Sequence, residues 1–175
     1  DGDGPINQLH IEIDSRCFKL LALHQPMAVD LRAIVSAVKI NTDLERVGDL
    51  AINIAEAVTR YLRHPPVKEL IDIPRMARIS QSMLRDALDA YVRRDVAMAE
   101  AVLNQDDELD GLKTQVFREL LTYMMADPGT IQRALSLILI SRNLERIADH
   151  ATNIAEDVIF IAEAKDVRHH AELQE

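Results

Sequence analysis

The chain has 175 residues, of which 48% are hydrophobic and only 3% aromatic, and its net charge at neutral pH is −9. This length allows one ordinary domain or two small halves with an aliphatic core, and the acidic balance argues against a nucleic-acid interface, which needs a basic patch. The single cysteine, Cys17, excludes an intramolecular disulfide and favours the cytoplasm. No apolar run is long enough for a membrane span or a signal peptide.

The first half of the chain is predicted to form two helices. Five glycines and six prolines leave few turns, so the elements must be long, and the composition predicts an all-α fold. A helix over 5–25 ends at Gln25-Pro26, because a residue before proline is pushed out of the helical region. A second helix runs over about 28–62 and ends at His64-Pro65-Pro66. The expected apolar stripe of the first helix consists of Ile6, Leu9, Ile13, Phe18, Leu20, Leu21 and Leu23.

The second half is predicted to form three helices, over about 74–93, 95–126 and 128–164. Arg93-Arg94-Asp95 is a tight junction at which the aspartate can cap the following helix. Asp127-Pro128 is typical of a helix start, since a capping residue precedes a first-turn proline. Four methionines of this half are expected to fill the core: Met76, Met83, Met124 and Met125.

A 19-residue segment occurs twice, at 40–58 and at 140–158, and 11 of its positions are identical. A helical wheel with about 100° per residue separates an apolar face from a polar face in each copy. The apolar face of the first copy comprises Ile40, Leu44, Val47, Ala51, Ile54 and Val58. The polar residues are Glu45, Asp49, Asn53 and Glu56 in the first stripe, and Glu145, Asp149, Asn153 and Glu156 in the second stripe.

The duplicated acids need an explanation, because like charges at i, i+4 cost about 0.2–0.5 kcal/mol per pair on an isolated helix. Arg46 and Arg60 border the first stripe and can offset part of this repulsion. A solvated face needs only polar side chains, and these could differ between the two copies. Here the same four residues occur in both copies, which favours a more specific role. Carboxylates and amides are hard oxygen ligands for cations, so the stripes predict metal sites, with a solvated or salt-bridged face as the alternative.

The repeat extends beyond the stripes, since the pattern that starts at Asp3 returns at Asp106. The second half thus has three helices where the first half shows two, and an equivalent of the helix over 74–93 is expected before residue 1. Three antiparallel helices with short loops form a bundle. We therefore expect two tandem three-helix bundles, the first lacking its first helix, each with its stripe on an outward face.

The predicted division of the chain follows this repeat. A first repeat covers 1–64, a linker covers 65–73, a second repeat covers 74–164 and a charged tail covers 165–175.

Several motifs in the long helices are specific enough to suggest a family. They are Asp30-Leu31-Arg32, Asp43-Leu44-Glu45-Arg46-Val47-Gly48-Asp49, Leu144-Glu145-Arg146-Ile147-Ala148-Asp149-His150-Ala151-Thr152-Asn153-Ile154 and Asp166-Val167-Arg168-His169. The chain resembles, over nearly its whole length, the PhoU family of phosphate-signalling regulators, also called phosphate-specific transport accessory proteins. This resemblance implies the same pair of three-helix bundles.

The resemblance also implies multinuclear iron or zinc clusters at Glu/Asp-x-x-x-Asp motifs on the bundle surface. In this chain the motif falls on Glu45/Asp49, Glu145/Asp149 and Asp106/Asp110. The counterpart of the last pair is Asp3/Asn7, where an asparagine replaces one acid. Asn53, Glu56, Asn153 and Glu156 are further candidate ligands. His150 lies beside the second stripe and is interpreted as a surface or packing residue.

The implied function is negative regulation of phosphate uptake and of the transcriptional phosphate-starvation response. Such a protein acts as an adaptor between a phosphate ABC transporter and a sensor histidine kinase. It is expected to be a cytoplasmic homodimer at the inner face of the cell membrane, without membrane insertion or nucleic-acid binding.

Two other functions remain open, a structural helical module without metal and a carboxylate-bridged di-iron enzyme. The enzyme is disfavoured because such sites use a Glu-x-x-His motif, and no glutamate of this sequence has a histidine three residues later. No nucleophile–base pair or phosphate-cradling glycine loop is recognisable either, so the chain is predicted not to be an enzyme.

Overall fold

The structure is a computed structural model that describes residues 3–165, without the side chain of Asp3. Apart from Lys165, the predicted tail lies outside the described residues, and so does the motif at 166–169. Between residues 3 and 165 the chain forms helices and no strand, which confirms the all-α fold. None of these helices is long and apolar enough to cross a membrane. The helices are α1 (Asp3–His24), α2 (Ala28–Tyr61), α3 (Asp72–Arg93), α4 (Val96–Leu103), α5 (Asp106–Ala126) and α6 (Ile131–Glu163).

The last helix, α6, is the centre of the fold and packs against α2, α3, α4 and α5. The first helix packs mainly against α2. Arg32 near the start of α2 contacts Ile161 near the end of α6, while Lys39 contacts Asp157 one turn earlier on α6. The two long helices that carry the stripes are therefore antiparallel neighbours.

Both predicted helix caps are present. The Asp95 side chain accepts a hydrogen bond from the Met98 backbone N–H at 3.0 Å, at the start of α4. The Asp127 Oδ1 atom accepts one from the Gly129 N–H at 2.9 Å. The turn after Asp127 is a 3-10 turn at Pro128–Thr130, and α6 begins only at Ile131, in line with the frequency of such turns at helix N-termini.

The prediction of one helix over 95–126 is wrong, because the chain breaks between α4 and α5. The Gln105 N–H donates to the Val102 carbonyl, three residues back, which closes α4 with a tight turn. The new helix then begins with Asp106-Asp107-Glu108, and negative side chains in a first turn interact favourably with the helix dipole. The break places Asp106 at the amino end of α5.

The predicted apolar face of the duplicated helix is buried in the second copy but only partly in the first. In α6, all six equivalent residues are buried. In α2, Ala51 and Val58 remain exposed. The difference arises because α6 is surrounded by four helices, whereas α2 is covered mainly by α1 and α6. The buried equivalents in α6 are Ile140, Leu144, Ile147, Ala151, Ile154 and Val158.

The prediction of a buried apolar stripe on α1 is also wrong, because Leu21 alone of its seven residues is partly buried. The side of α1 that faces α2 instead includes Cys17, which is buried as a small core residue, and a polar contact. Asn41 donates hydrogen bonds to the His10 carbonyl at 2.8 Å and to Asp14 at 2.9 Å. A helix with one principal neighbour buries only the narrow face that meets it.

Methionines on the second-half helices differ in their contribution to the core. The Met83 side chain is 0% exposed and Met125 is 77% exposed, so the expectation that Met125 fills the core is wrong.

We expect Met83→Ala to lower the free energy of unfolding by about 2–5 kcal/mol, because the substitution would leave a cavity in the core. Met125→Ala, as the control, changes it by less than about 0.5 kcal/mol. Urea unfolding measures the stability of both variants. Equal losses of stability would contradict the burial of Met83 in the core and the exposure of Met125.

Candidate functional site

Four acids meet where α5 packs against α6, and we call them the acidic cluster: Asp106, Asp110, Glu145 and Asp149. Asp106 and Asp110 share one face of α5 at i, i+4 spacing, and Lys113 follows one turn later. The Lys113 Nζ lies 3.0 Å from Asp110 Oδ1 and 2.5 Å from Glu145 Oε1. One lysine thus joins a carboxylate of α5 to a carboxylate of α6.

Partial burial and neighbouring negative charge both act on the acidic cluster. Partial burial raises the pKa of Asp149 to about 6, and the charges of Glu145, Asp106 and Asp110 add to this. Burial and then Asp110 raise the pKa of Asp106 as well. The hydrogen bond to Glu145 is the largest contribution that raises the pKa of Lys113. A single ammonium therefore does not neutralise the group, and the cluster favours additional positive charge.

The first stripe is neutralised within its own helix. Arg46 lies 3.5 Å from Glu45 and 3.7 Å from Asp49, and Arg60 lies 3.5 Å from Glu56. These contacts confirm that arginines border the stripe. Asn53 is exposed between them, Asn7 of α1 is partly buried, and the side chain of Asp3 lies outside the described residues.

The second stripe does not lie on one outward face, as predicted, but divides between two places. Glu145 faces α5, and its side chain is only 17% exposed. Asn153 and Glu156 instead line a recess of about 340 Å³ between α2 and α6. The Asn153 amide lies 3.5 Å from Asp43 of α2. The structure thus brings Glu145 and Asp149 to the pair on α5 but leaves Asn153 and Glu156 apart from them.

A row of polar contacts joins α2 to α6, and we call this row the seam. His150 Nδ1 and Asp43 Oδ1 lie 2.8 Å apart, so His150 is a packing residue, as interpreted from the sequence. Lys39 Nζ lies 3.2 Å from Asp157, which is 6% exposed. The Arg32 guanidinium donates to the Ile161 carbonyl at 3.2 and 3.3 Å.

The sequence reasoning did not identify the seam, although a signal was available. Lys39, His150 and Asp157 occupy positions where the other copy has the apolar residues Leu139, Leu50 and Ala57. Polar residues that interrupt an apolar repeat mark places where the two copies meet each other. The link from Lys113 to Glu145 could not be found in this way, because it depends on how α5 packs.

The donor chemistry of the acidic cluster fits a hard cation, but its arrangement does not. Four carboxylates supply oxygen ligands of the type that such cations prefer, and the pKa of Asp149 is raised first by partial burial and then by the charges of the other three acids. Among residues 3–165, however, no group of three or more His, Cys, Asp or Glu side chains is arranged to hold a metal ion. The Lys113 ammonium lies between two of the acids.

These features define a class of protein, an all-α protein whose duplicated long helix carries an acidic motif in each copy. The PhoU domain family matches residues 1–58 and 73–158. The chain belongs to the PhoU family.

Relatives and solved structures agree with this assignment. The phosphate-specific transport system accessory protein PhoU homolog of Caulobacter vibrioides is 47% identical over 91% of this chain and 70% of its own length. The homolog from Aquifex aeolicus is 42% identical over 96% of this chain and 76% of its own length. The crystal structure of PhoU from Pseudomonas aeruginosa superposes with a TM-score of 0.90 at 40% identity, covering 93% of this chain and 78% of that one.

The raised pKa of Asp149 makes stability depend on pH in the metal-free protein. The pKa of Asp149 in the folded protein, about 6, lies above its ordinary value of 3.8. The contribution of the protonated carboxyl to the free energy of unfolding is therefore complete below pH 3.8 and is lost as the pH rises through about 6. We expect Asp149→Asn to be more stable than the wild type at pH 7, by about 1 kcal/mol after solvent screening. Urea unfolding with chelator present measures the difference, which should vanish near pH 3.5. A variant that is less stable at pH 7 would contradict the charge repulsion.

Proposed function

We propose that this chain is an accessory regulator of a phosphate transport system, which restrains phosphate uptake and the phosphate-starvation response. It acts as an adaptor between a phosphate ABC transporter and a sensor histidine kinase, as a homodimer at the cytoplasmic face of the membrane. The observation that carries this proposal is the family match over both repeats. The relatives named above are accessory proteins of phosphate-specific transport.

An adaptor fits the placement of the carboxylates better than a di-iron enzyme does. A di-iron site of the ferritin-like kind is built from acids and histidines that project into the core of a bundle. Here Asp110 and Asp149 are exposed at the edge between two helices, and the interior of the bundle is filled by aliphatic side chains. The chain is therefore proposed to work through its surface and not through catalysis.

The acidic motifs are proposed to hold iron or zinc clusters. In the second repeat the ligands would be Asp106, Asp110, Glu145 and Asp149. In the first repeat they would be Glu45 and Asp49. A bound cation supplies the positive charge that the acidic cluster lacks. By relieving the repulsion among the acids, a bound cation would fix the relative position of α5 and α6 and give the bundle a defined surface for a partner.

The regulatory proposal is tested in a bacterium from which its own PhoU-family gene has been deleted. We expect expression of this chain to restore repression of a phosphate-starvation reporter when phosphate is abundant, because the family match covers the long helices of both repeats. A chain with Met83→Ala, which weakens the core, serves as the control for dependence on folding. A reporter that stays fully active, although the chain is present and folded, would contradict the proposal.

The metal proposal is tested by elemental analysis of protein purified without an affinity tag. We expect iron or zinc in the wild type and a loss of most of it in Glu45→Ala/Glu145→Ala, because one ligand of each motif is removed. Glu12→Ala is the matched control, since Glu12 pairs with Arg16 on α1, away from both stripes.

The double variant should keep its helical circular dichroism, because neither glutamate belongs to the apolar core. A loss of helix would show that the acids are structural. Equal metal content in the wild type and the double variant would contradict the assigned ligands.

A further inference from the structure

A recess where the end of α2 meets the start of α6 is lined without any acidic residue, and we call it the basic recess. Its volume is about 240 Å³, and Leu135 and Leu139 form one wall of it. The chain as a whole carries 29 acids against 20 lysines and arginines, so this local excess of positive charge is unusual for the molecule. The other lining residues all carry hydrogen-bond donors: Arg60, His64, Gln132, Arg133 and Ser136.

Arg133 is held in place by two backbone carbonyls and not by an acid. Its guanidinium donates to the Pro65 carbonyl at 2.8 Å and to the Gly129 carbonyl at 3.5 Å. Among residues 3–165, no carboxylate forms an ion pair with this arginine. Carbonyl oxygens are neutral, so these bonds orient the guanidinium without neutralising its charge. A guanidinium has five N–H donors, and further ones therefore remain for a ligand.

Arg60 and His64 bring two more donors to the basic recess from the end of α2. Arg60 Nη1 lies 3.5 Å from Glu56 Oε2, and both side chains are more than half exposed. A solvent-exposed pair of this kind is weak, so Arg60 can exchange Glu56 for a ligand in the basic recess. His64 follows the last turn of α2, where its backbone N–H donates to the Tyr61 carbonyl at 3.2 Å. The donors thus come from two helix ends that the antiparallel packing of α2 and α6 brings together.

We propose that the basic recess binds a phosphate group, either as inorganic phosphate or as the phosphorylated side chain of a partner protein. A phosphate monoester carries a charge of about −1.5 to −2 at pH 7, so it matches two guanidinium groups better than a single carboxylate does. The planar fork of arginine also fits the spacing of phosphate oxygens. The wall formed by Leu135 and Leu139 offers an apolar surface to the group that carries the phosphate. This site goes beyond the proposed function and requires neither the acidic cluster nor a metal.

The test is an NMR titration of the backbone amides of the full chain, with chelator present and the ionic strength held constant. Inorganic phosphate and phenyl phosphate are the probes, since they share the phosphate group and differ in the apolar group. We expect both probes to shift the amide signals of the first turns of α6. We expect Arg60→Gln/Arg133→Gln to weaken their binding by about tenfold or more, because two charge-assisted contacts are lost. Arg60→Gln alone leaves the bond from Arg133 to Pro65 in place and should weaken binding as well.

Arg16→Gln/Arg75→Gln is the matched control. Arg16 pairs with Glu12 and Arg75 pairs with Glu108, and neither arginine lines the basic recess. This control loses the same two charges and should bind both probes as the wild type does. Benzoate is the control ligand, because it carries a ring with one carboxylate, and it should bind more weakly than phenyl phosphate. Circular dichroism confirms that each variant is folded.

The two probes distinguish the sources of the phosphate group. Tighter binding of phenyl phosphate than of inorganic phosphate would support a phosphorylated side chain, because the leucine wall then contributes to binding. Equal binding of the two probes would support inorganic phosphate. No amide shifts with either probe would overturn the inference, and so would benzoate binding as tight as that of phenyl phosphate. An equal loss of affinity in the matched control would also overturn it, because net charge alone would then explain the effect. None of these results bears on the reporter test of the regulatory proposal.

Discussion

The burial of α6 is the constraint on which the rest of the structure depends. Its apolar residues extend around so much of the helix that α2, α3, α4 and α5 are all needed to cover them. Once those helices are in place, polar side chains of α6 can reach solvent only along the edges between its neighbours. The acidic cluster lies at the edge towards α5, and Asn153 and Glu156 lie at the edge towards α2. Core packing thus decides where the acids of the second stripe can be.

The two repeats show how one motif acquires two electrostatic environments. Glu45 and Asp49 face an arginine of their own helix, whereas Glu145 and Asp149 face two further acids and one lysine of α5. The acids are the same in both copies, but the charged residues that contact them differ. The local sequence is therefore the same while the free energy of adding a cation differs between the copies.

Much of the fold could be predicted from the sequence, because it depends on local rules. Prolines, capping aspartates and helical periodicity placed the ends of the long helices close to where the structure has them. The break between α4 and α5 was missed because neither glycine nor proline marks it, and the chain turns on Asn104 and Gln105. The exposure of the α1 stripe was missed because periodicity shows which side of a helix is apolar but not whether a neighbour covers it.

The candidate site was less predictable than the fold. Its acids could be named from their repetition, but their grouping depends on tertiary packing. Lys113 is the clearest case, since its spacing from Asp110 is visible in the sequence and its bond to Glu145 is not. The separation of Asn153 from Glu145 has the same origin, because each lies on the edge between α6 and a different neighbour.

The antiparallel seam has a mechanical consequence for the pair of repeats. Asp149 belongs to the acidic cluster, and the next residue on the same rigid helix, His150, is bonded to Asp43 at the start of the first motif. Adjacent residues of a helix cannot rotate independently, so any turn of α6 about its axis that re-aims Asp149 moves His150 through the same angle. The hydrogen bond to Asp43 then lengthens or shortens with it. The seam therefore couples the two halves of the molecule, and its contact at Asp43 lies two residues from Glu45.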